Sequence, residues 1–329
     1  MQGQTKTQAV ESVRSWIRDL APGEPKSFGA IAVAVLYSSA PKNNVAYQLL
    51  AMAIASGDVE ITETDDATVP TLMVRNRGAL PVLIADFEEI VGGRQNRTVN
   101  TSILVPAGSD VLLPVSCVEQ GRWAQVHRTF VPGEAVYPSL RALKSRSVTS
   151  GFAEGDAPRA DQYAVWDDIE ATSGSLGVHS RTRAMRDIFE SQTDALEEAL
   201  AALPAPTDGA IGVLCLFPDH ATADVFDRPE TLAAYWPRLV RSYALESLWA
   251  GQADTVVHAD VRSRLQAALT ARGKAFPSAG TCWDVRLDGQ GVCGAALVHD
   301  LGVIHTSLFW DALDSRGTAA RRRYTSYRS

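Results

Sequence analysis

Apolar residues recur at helical spacing near the start of the chain. Val10, Val13, Trp16, Ile17 and Leu20 share one face of residues 8–20, and Ala21-Pro22-Gly23 stops the run, which predicts an amphipathic helix. Residues 31–37 read as a β run and residues 44–55 as a helix closed by Gly57. From there to about residue 123 the period shortens to that of strands, at 59–64, 71–74, 80–85, 102–105 and 111–118, with turn signals such as Asn76-Arg77-Gly78 and Pro106-Ala107-Gly108. This spacing points to an antiparallel sheet or sandwich rather than alternating βαβ units. Residues 130–158, rich in Gly, Pro, Ser and Arg, read as a connection. Beyond it, 160–173 and 182–203 predict helices, and 210–217 with 222–226 predict a strand pair around Pro218-Asp219. Residues 229–250 form a helix with proline at its first turn and a kink or break at Pro237, and 259–271 a further helix ended by Gly273. Three last runs, 282–287, 291–298 and 303–309, predict a meander with turns at Asp288-Gly289 and Asp300-Leu301-Gly302.

The fold class is therefore α+β: an antiparallel sheet or sandwich in the N-terminal half, helices plus an antiparallel meander in the C-terminal half. A division into 1–130 and 131–329 follows, with a single intimate domain as the alternative packing of the same elements. The tail Arg321-Arg322-Arg323-Tyr324 reads as basic and mobile.

A net charge of −7 weighs against a broad nucleic-acid surface and leaves room only for a local anion site. Only five of the 31 cationic residues are lysine, so the positive charge is carried by arginine, which grips carboxylates and phosphates bidentately. No apolar stretch approaches the ~20 residues of a membrane helix, and the first residues have no apolar leader core. Cys117, Cys215, Cys282 and Cys293 form no C-x-x-C pair, which suits a reducing cytoplasm. The histidines make no H-x-x-x-H pair, so no metal site is expected; His299 and His305 flank the last hairpin turn, where they could face each other. Asp219-His220, Asp224 and Asp227 lie in turn-like sequence and read as capping or solvated groups. The common nucleotide-loop and hydrolase-elbow motifs are absent.

One segment breaks the pattern. Glu88-Glu89-Ile90-Val91-Gly92-Gly93-Arg94-Gln95-Asn96-Arg97-Thr98-Val99-Asn100 is densely polar between apolar strands. Such groups must be hydrogen-bonded or lie on a surface. Two arrangements satisfy them. In one, Arg94 and Arg97 pair with Asp86, Glu88 or Glu89 in a salt-bridge network. In the other, Gly92-Gly93 lets the backbone approach a ligand while the arginines hold an anion. The next strand places Val111, Leu113, Val115 and Cys117 on one side and ends in Glu119, Gly121, Arg122 and Trp123. There the ring could stack on a base and Arg122 meet a phosphate, or Trp123 could anchor the sheet edge with Arg122 paired to Glu119. Cys117 as a nucleophile needs a lowered pKa; otherwise it is core. In residues 229–250 the stripe Trp236, Leu239, Val240, Tyr243, Ala244 and Leu248 reads as core, with Arg238, Arg241 and Glu246 on a solvated face.

Glu88–Arg97, and then Pro114-Val115-Ser116-Cys117-Val118-Glu119-Gln120-Gly121-Arg122-Trp123, resemble the signature of the ARPP-1 domain family, the ADP-ribosylglycohydrolase and rhodanese-phosphatase-associated proteins. The resemblance extends through Trp166-Asp167 and Arg241-Ser242-Tyr243-Ala244-Leu245, while Phe87 and Arg94 stand where the family would carry glycine and often lysine. It implies a link to ADP-ribose metabolism, as an enzyme or as a partner of ADP-ribose-metabolising enzymes. The expected ligand is a small NAD-derived nucleotide, with no cofactor indicated. Arg94, Arg97 and Arg122 would hold phosphate, Gln95, Asn96 and Asn100 ribose or base, and Trp123 would stack. Glu119 or Glu89 would serve as general base, ahead of Cys117 as nucleophile. The alternatives are a non-catalytic protein-interaction module using the same polar strand, and a cysteine-dependent enzyme.

Overall fold

The computed structural model describes residues 5–39, 43–64, 70–122, 128–206, 208–249 and 261–311. Trp123, His127 and the basic tail lie outside the described residues. The architecture is α+β. The largest sheet is antiparallel throughout and runs Ala21–Pro22, Ile31–Tyr37, Gly212–Leu216, Ala221–Phe226, Gly302–Trp310, Val292–His299, Cys282–Gly289, Arg272–Pro277, with Lys26–Phe28 also on Ile31–Tyr37. The predicted meander forms its last turns. Hydrogen bonds between Ile31–Tyr37 and Gly212–Leu216 cross the division drawn at residue 130.

Both faces of this sheet are covered, which is why Gly212–Leu216 and Ala221–Phe226 are buried along their whole length instead of alternating. The helix Lys6–Asp19, opened by a capping box between Thr5 and Gln8, lays Val10, Val13, Trp16 and Ile17 on Ala32, Ala34, Leu214 and Leu308. The opposite face packs against Pro138–Glu154 and Pro229–Ser247. The latter helix runs unbroken through Pro237, held by burial around most of its circumference.

A six-stranded sheet carries the motif: Phe130–Ala135, Glu88–Gly92, Arg97–Val99, Asp110–Cys117, Thr71–Asn76, Val59–Glu63. An antiparallel bridge between Thr62 and Thr129 joins its two outer strands, so the sheet curls on itself around Ile61, Leu72, Val74, Ile90, Val99, Leu113, Val115 and Phe130. A small third sheet, Ile103–Val105, Val82–Ile84, Gln48–Leu49, contains the one parallel pairing among the described strands.

Three expectations change. Residues 130–158 are not a connection but the strand Phe130–Ala135 and the helix Pro138–Glu154, whose Arg141, Lys144 and Ser145 face a buried polar layer. Residues 44–55 hold only the short helix Leu50–Ala55, after the strand Gln48–Leu49. Residues 182–203 divide into Met185–Ser191 and Thr193–Ala202. Among the described residues no helix is long and apolar enough to cross a membrane.

The start of Pro138–Glu154 is tied down by charge. The Ser139 N–H and Oγ donate to Glu246 Oε2 at 3.1 and 3.0 Å, and His220 Nε2 lies 3.3 Å from Glu246 Oε1. Glu246 is thus buried rather than on a solvated face. Burial alone would lower the His220 imidazole, but its bonds to Asp219 and Glu246 raise it to about 9. A folded value above the unfolded one gives stability that is complete below the unfolded pKa and lost as pH rises through the folded value. His220→Gln is expected to lower Tm at about pH 6 and to leave it unchanged at about pH 10, as thermal unfolding by circular dichroism would record.

Candidate functional site

The motif strands Glu88–Gly92 and Arg97–Val99 form a hairpin that pairs Glu89 with Thr98 and Ile90 with Arg97. Its glycines do not make room for a ligand. Gly92 (φ 147°) and Gly93 (φ 52°) let the chain pass against Phe130: a Cβ on the first would lie 2.6 Å from the Thr129 carbonyl, and on the second 2.4 Å from Phe130 Cζ.

The polar motif residues form two internal knots. In the first, Arg122 donates to Glu119 Oε2 (Nε, 2.9 Å), to the Gly93 carbonyl (2.9 Å) and to Asn96 Oδ1 (2.9 Å), while the Asn96 N–H donates to Glu119 Oε2 (3.1 Å). In the second, Gln95 Oε1 accepts from Arg97 Nη1 at 2.9 Å, Gln95 Nε2 donates to the Glu119 carbonyl at 2.8 Å, and Arg97 meets Cys117 Sγ. Asn100 stands apart, donating to the Pro158 carbonyl and accepting from Ser116. Arg94 is also separate, its side chain 52% exposed and paired with Glu63 at 3.5 Å. Burial pushes the Cys117 thiol up to about 11, against the pull of Arg97, so it stays protonated at neutral pH and lacks the acidity a nucleophile needs.

Glu89 has a different environment. The ladder between Glu88–Gly92 and Phe130–Ala135 shifts register between Pro132 and Ala135. This bulge sits over the Glu89 carboxyl. Gly133 leaves space for it, since a Cβ there would lie 2.3 Å from Glu89 Oε2, and the Glu134 N–H donates to the same oxygen at 3.1 Å. Glu89 Oε1 is buried with no hydrogen-bond partner among the described residues. Burial pushes this carboxyl up to about 7, opposed by the Glu134 amide and the charges of Arg186 and Arg238. A buried acid poised near neutrality is suited to giving and taking protons. Gly133→Ala is expected to cost about 1–3 kcal/mol through overpacking, read from the urea midpoint.

Arginines surround this acid. Arg238 Nη1 pairs with Glu88 Oε2 (3.0 Å), which also accepts through Oε1 from Tyr235 (2.8 Å), and Arg238 Nη2 donates to the Glu134 carbonyl (3.2 Å). Arg241 holds both Glu134 carboxylate oxygens at 2.9 and 3.2 Å, and Arg186 pairs with Glu190 at 2.7 Å. The face expected to be solvated on Pro229–Ser247 is therefore an ion-pair face.

Behind the motif lies a buried polar layer that the sequence reading missed. Pro138–Glu154 turns Arg141 onto the large sheet and Lys144 onto the motif strand Arg97–Val99. Arg141 makes a two-pronged pair with Asp224, and Tyr243 Oη donates to Asp224 at 2.6 Å. Asp86 Oδ1 is 3.6 Å from Arg141, and its other oxygen accepts from Ser307 at 2.7 Å. Lys144 Nζ donates to the Asp86 carbonyl, Thr98 Oγ1 and the Val99 carbonyl, and burial pushes it down to about 7. Asp224 is thus a strand residue with no solvent exposure rather than a turn cap. Asp227 is buried too, accepting a hydrogen bond from Tyr47 and pairing with Arg228. His305 faces inward onto Ser102 at 2.8 Å and stands opposite Leu297, not His299. The signal available was Asp224 between Ala223 and Val225 in a predicted strand, a charged residue at a core position.

Residues 19–309 match the ARG and Rhodanese-Phosphatase-superfamily-associated Protein (ARPP-1) domain. The chain belongs to this family. No curated protein and no solved structure matches it significantly. In this ARPP-1 chain the matched span includes the curled sheet, the Glu89 bulge and the buried layer.

Proposed function

We propose that this ARPP-1 protein binds ADP-ribose or a related NAD-derived nucleotide over the Glu134 bulge and acts on it by general acid–base chemistry, with Glu89 moving the proton. The observation that carries this is the Glu89 carboxyl: buried, near neutrality, with one oxygen unpartnered beneath a bulge. Glu119, the other candidate, has its carboxylate occupied by Arg122 and the Asn96 amide. Arg186, in the first turn of Met185–Ser191, and Arg241, within Pro229–Ser247, lie on helices that pack on the bulged strand and offer cations to a pyrophosphate. Arg94 is a further surface cation on the same sheet, while Arg97 and Arg122 hold the motif strands together. The "ARG" of the family name, read as ADP-ribosylglycohydrolase, supports ADP-ribose as the ligand and ADP-ribose-metabolising enzymes as partners.

Calorimetry of the folded protein with ADP-ribose, NAD and AMP tests it. Saturable heat is expected for at least one ligand, and Glu89→Gln should keep binding while losing turnover. Absence of heat for all three at about millimolar ligand would overturn the proposal. A second reading, a non-catalytic interaction module, draws on the internal use of Gln95, Asn96, Arg97, Glu119 and Arg122. It is favoured if none of the three nucleotides gives heat with the folded protein.

A further inference from the structure

We propose that Arg238 is the positioning residue of the Glu89 site: by joining the Glu88 carboxylate to the Glu134 carbonyl, it fixes the bulge so that the Glu134 amide points at Glu89. This deepens the reading of Glu89 as the acid–base group, and rests on it.

The geometry is a bridge. Arg238 Nη1 reaches Glu88 Oε2 at 3.0 Å and Nη2 reaches the Glu134 carbonyl at 3.2 Å, so one guanidinium spans the motif strand and the bulged strand. On the other side of the same residue, the Glu134 N–H donates to Glu89 Oε2 at 3.1 Å. A bulge leaves its extra residue outside the ladder, free to turn unless something else holds it. Here the carbonyl of that residue is held by Arg238 and its side chain by Arg241, one helical turn further on. The Arg238 end of the bridge is fixed in turn, because Glu88 has no solvent exposure and is also bonded by Tyr235. Arginine is needed at this position, since a rigid planar fork meets two acceptors at once and an ammonium does not. The charged groups acting on Glu89 come from each element around it: Glu134 from the bulged strand, Arg186 from Met185–Ser191 and Arg238 from Pro229–Ser247. Among these the Glu134 amide makes the direct bond, so loss of the bridge acts on Glu89 chiefly through that amide.

Two NMR signals of the full-length protein, without any ligand, read this out. The Glu134 amide proton should shift with pH as Glu89 titrates, and the Glu89 side-chain carboxyl carbon, assigned with Glu89→Gln, gives the midpoint directly. In Arg238→Gln the Glu134 amide is expected to lose its titrating shift, and the Glu89 midpoint to rise by about one unit, a tenfold gain in proton affinity. In Arg241→Gln, which releases only the Glu134 side chain, the amide should still titrate. An unchanged midpoint with a titrating amide in Arg238→Gln would overturn the proposal. If that variant does not fold, Arg238→Lys keeps the charge but not the fork: loss of the amide shift supports the bridge, and its retention refutes it. Because no nucleotide is present, a failure here is separate from a failure of nucleotide binding.

Discussion

Asp224→Asn is expected to destabilise the protein by about 3–5 kcal/mol, among the largest effects of any single substitution here. The side chain keeps its size, so the cost is electrostatic. Arg141, equally buried, would lose its two-pronged partner and retain only Asp86, 3.6 Å away. Burial by itself would raise the Asp224 carboxyl, but the charge and hydrogen bonds of Arg141 outweigh it and hold the group well below the usual carboxylate range. A depressed folded value means stability that is present above the unfolded pKa and lost as pH falls through the folded one. The penalty in Asp224→Asn should therefore be full at neutral pH and shrink in acid. Urea unfolding followed by circular dichroism would measure it. Replacing both partners, Asp224→Asn with Arg141→Met, should recover part of the loss, because an apolar side chain leaves no stranded charge. A double variant as unstable as the sum of the two singles would show that the pair is not the source.

What was legible in the sequence was local. Strand alternation and Gly-containing turns place the final meander, and the density of polar residues at 88–100 shows that they need partners. What those partners are was not legible. Arg141 meets Asp224 across 83 positions, and Ser307 meets Asp86 across 221, and no period or spacing carries such information. The same blindness reversed the meaning of Gly92-Gly93, whose close neighbour is Phe130 rather than a ligand. It also made Phe130–Pro158 look like a linker: Pro132 and Gly133 are breakers in a strand, and here they mark a bulge. The sequence offers Glu89 and Glu119 alike as candidate bases. Only the bulge separated it from Glu119, since burial without a full set of partners depends on which strand lies opposite.

Glu89→Gln is expected to make the protein more stable, not less, and only above a definite pH. The Glu89 carboxyl is wholly buried and raised from an ordinary 4.5 to about 7. The folded state therefore binds a proton that the unfolded state releases between those two values, and stability is lost as pH rises through that window. A glutamine has the shape of the protonated acid and no charge to lose. Below about pH 4.5 the two proteins should be equally stable. Above about pH 7 the variant should lead by roughly 3 kcal/mol, the free energy of a shift of that size. The comparison isolates Glu89, because the opposing change at Lys144 falls above pH 7 and is common to both proteins. Urea midpoints at intervals across the range would trace the divergence. Parallel curves would mean that Glu89 is ionised in the folded state at no cost, and the case for it as the proton-moving group would fall with that result. A widening gap would show a group kept at a standing cost to the fold, as expected of a residue held for chemistry rather than for stability.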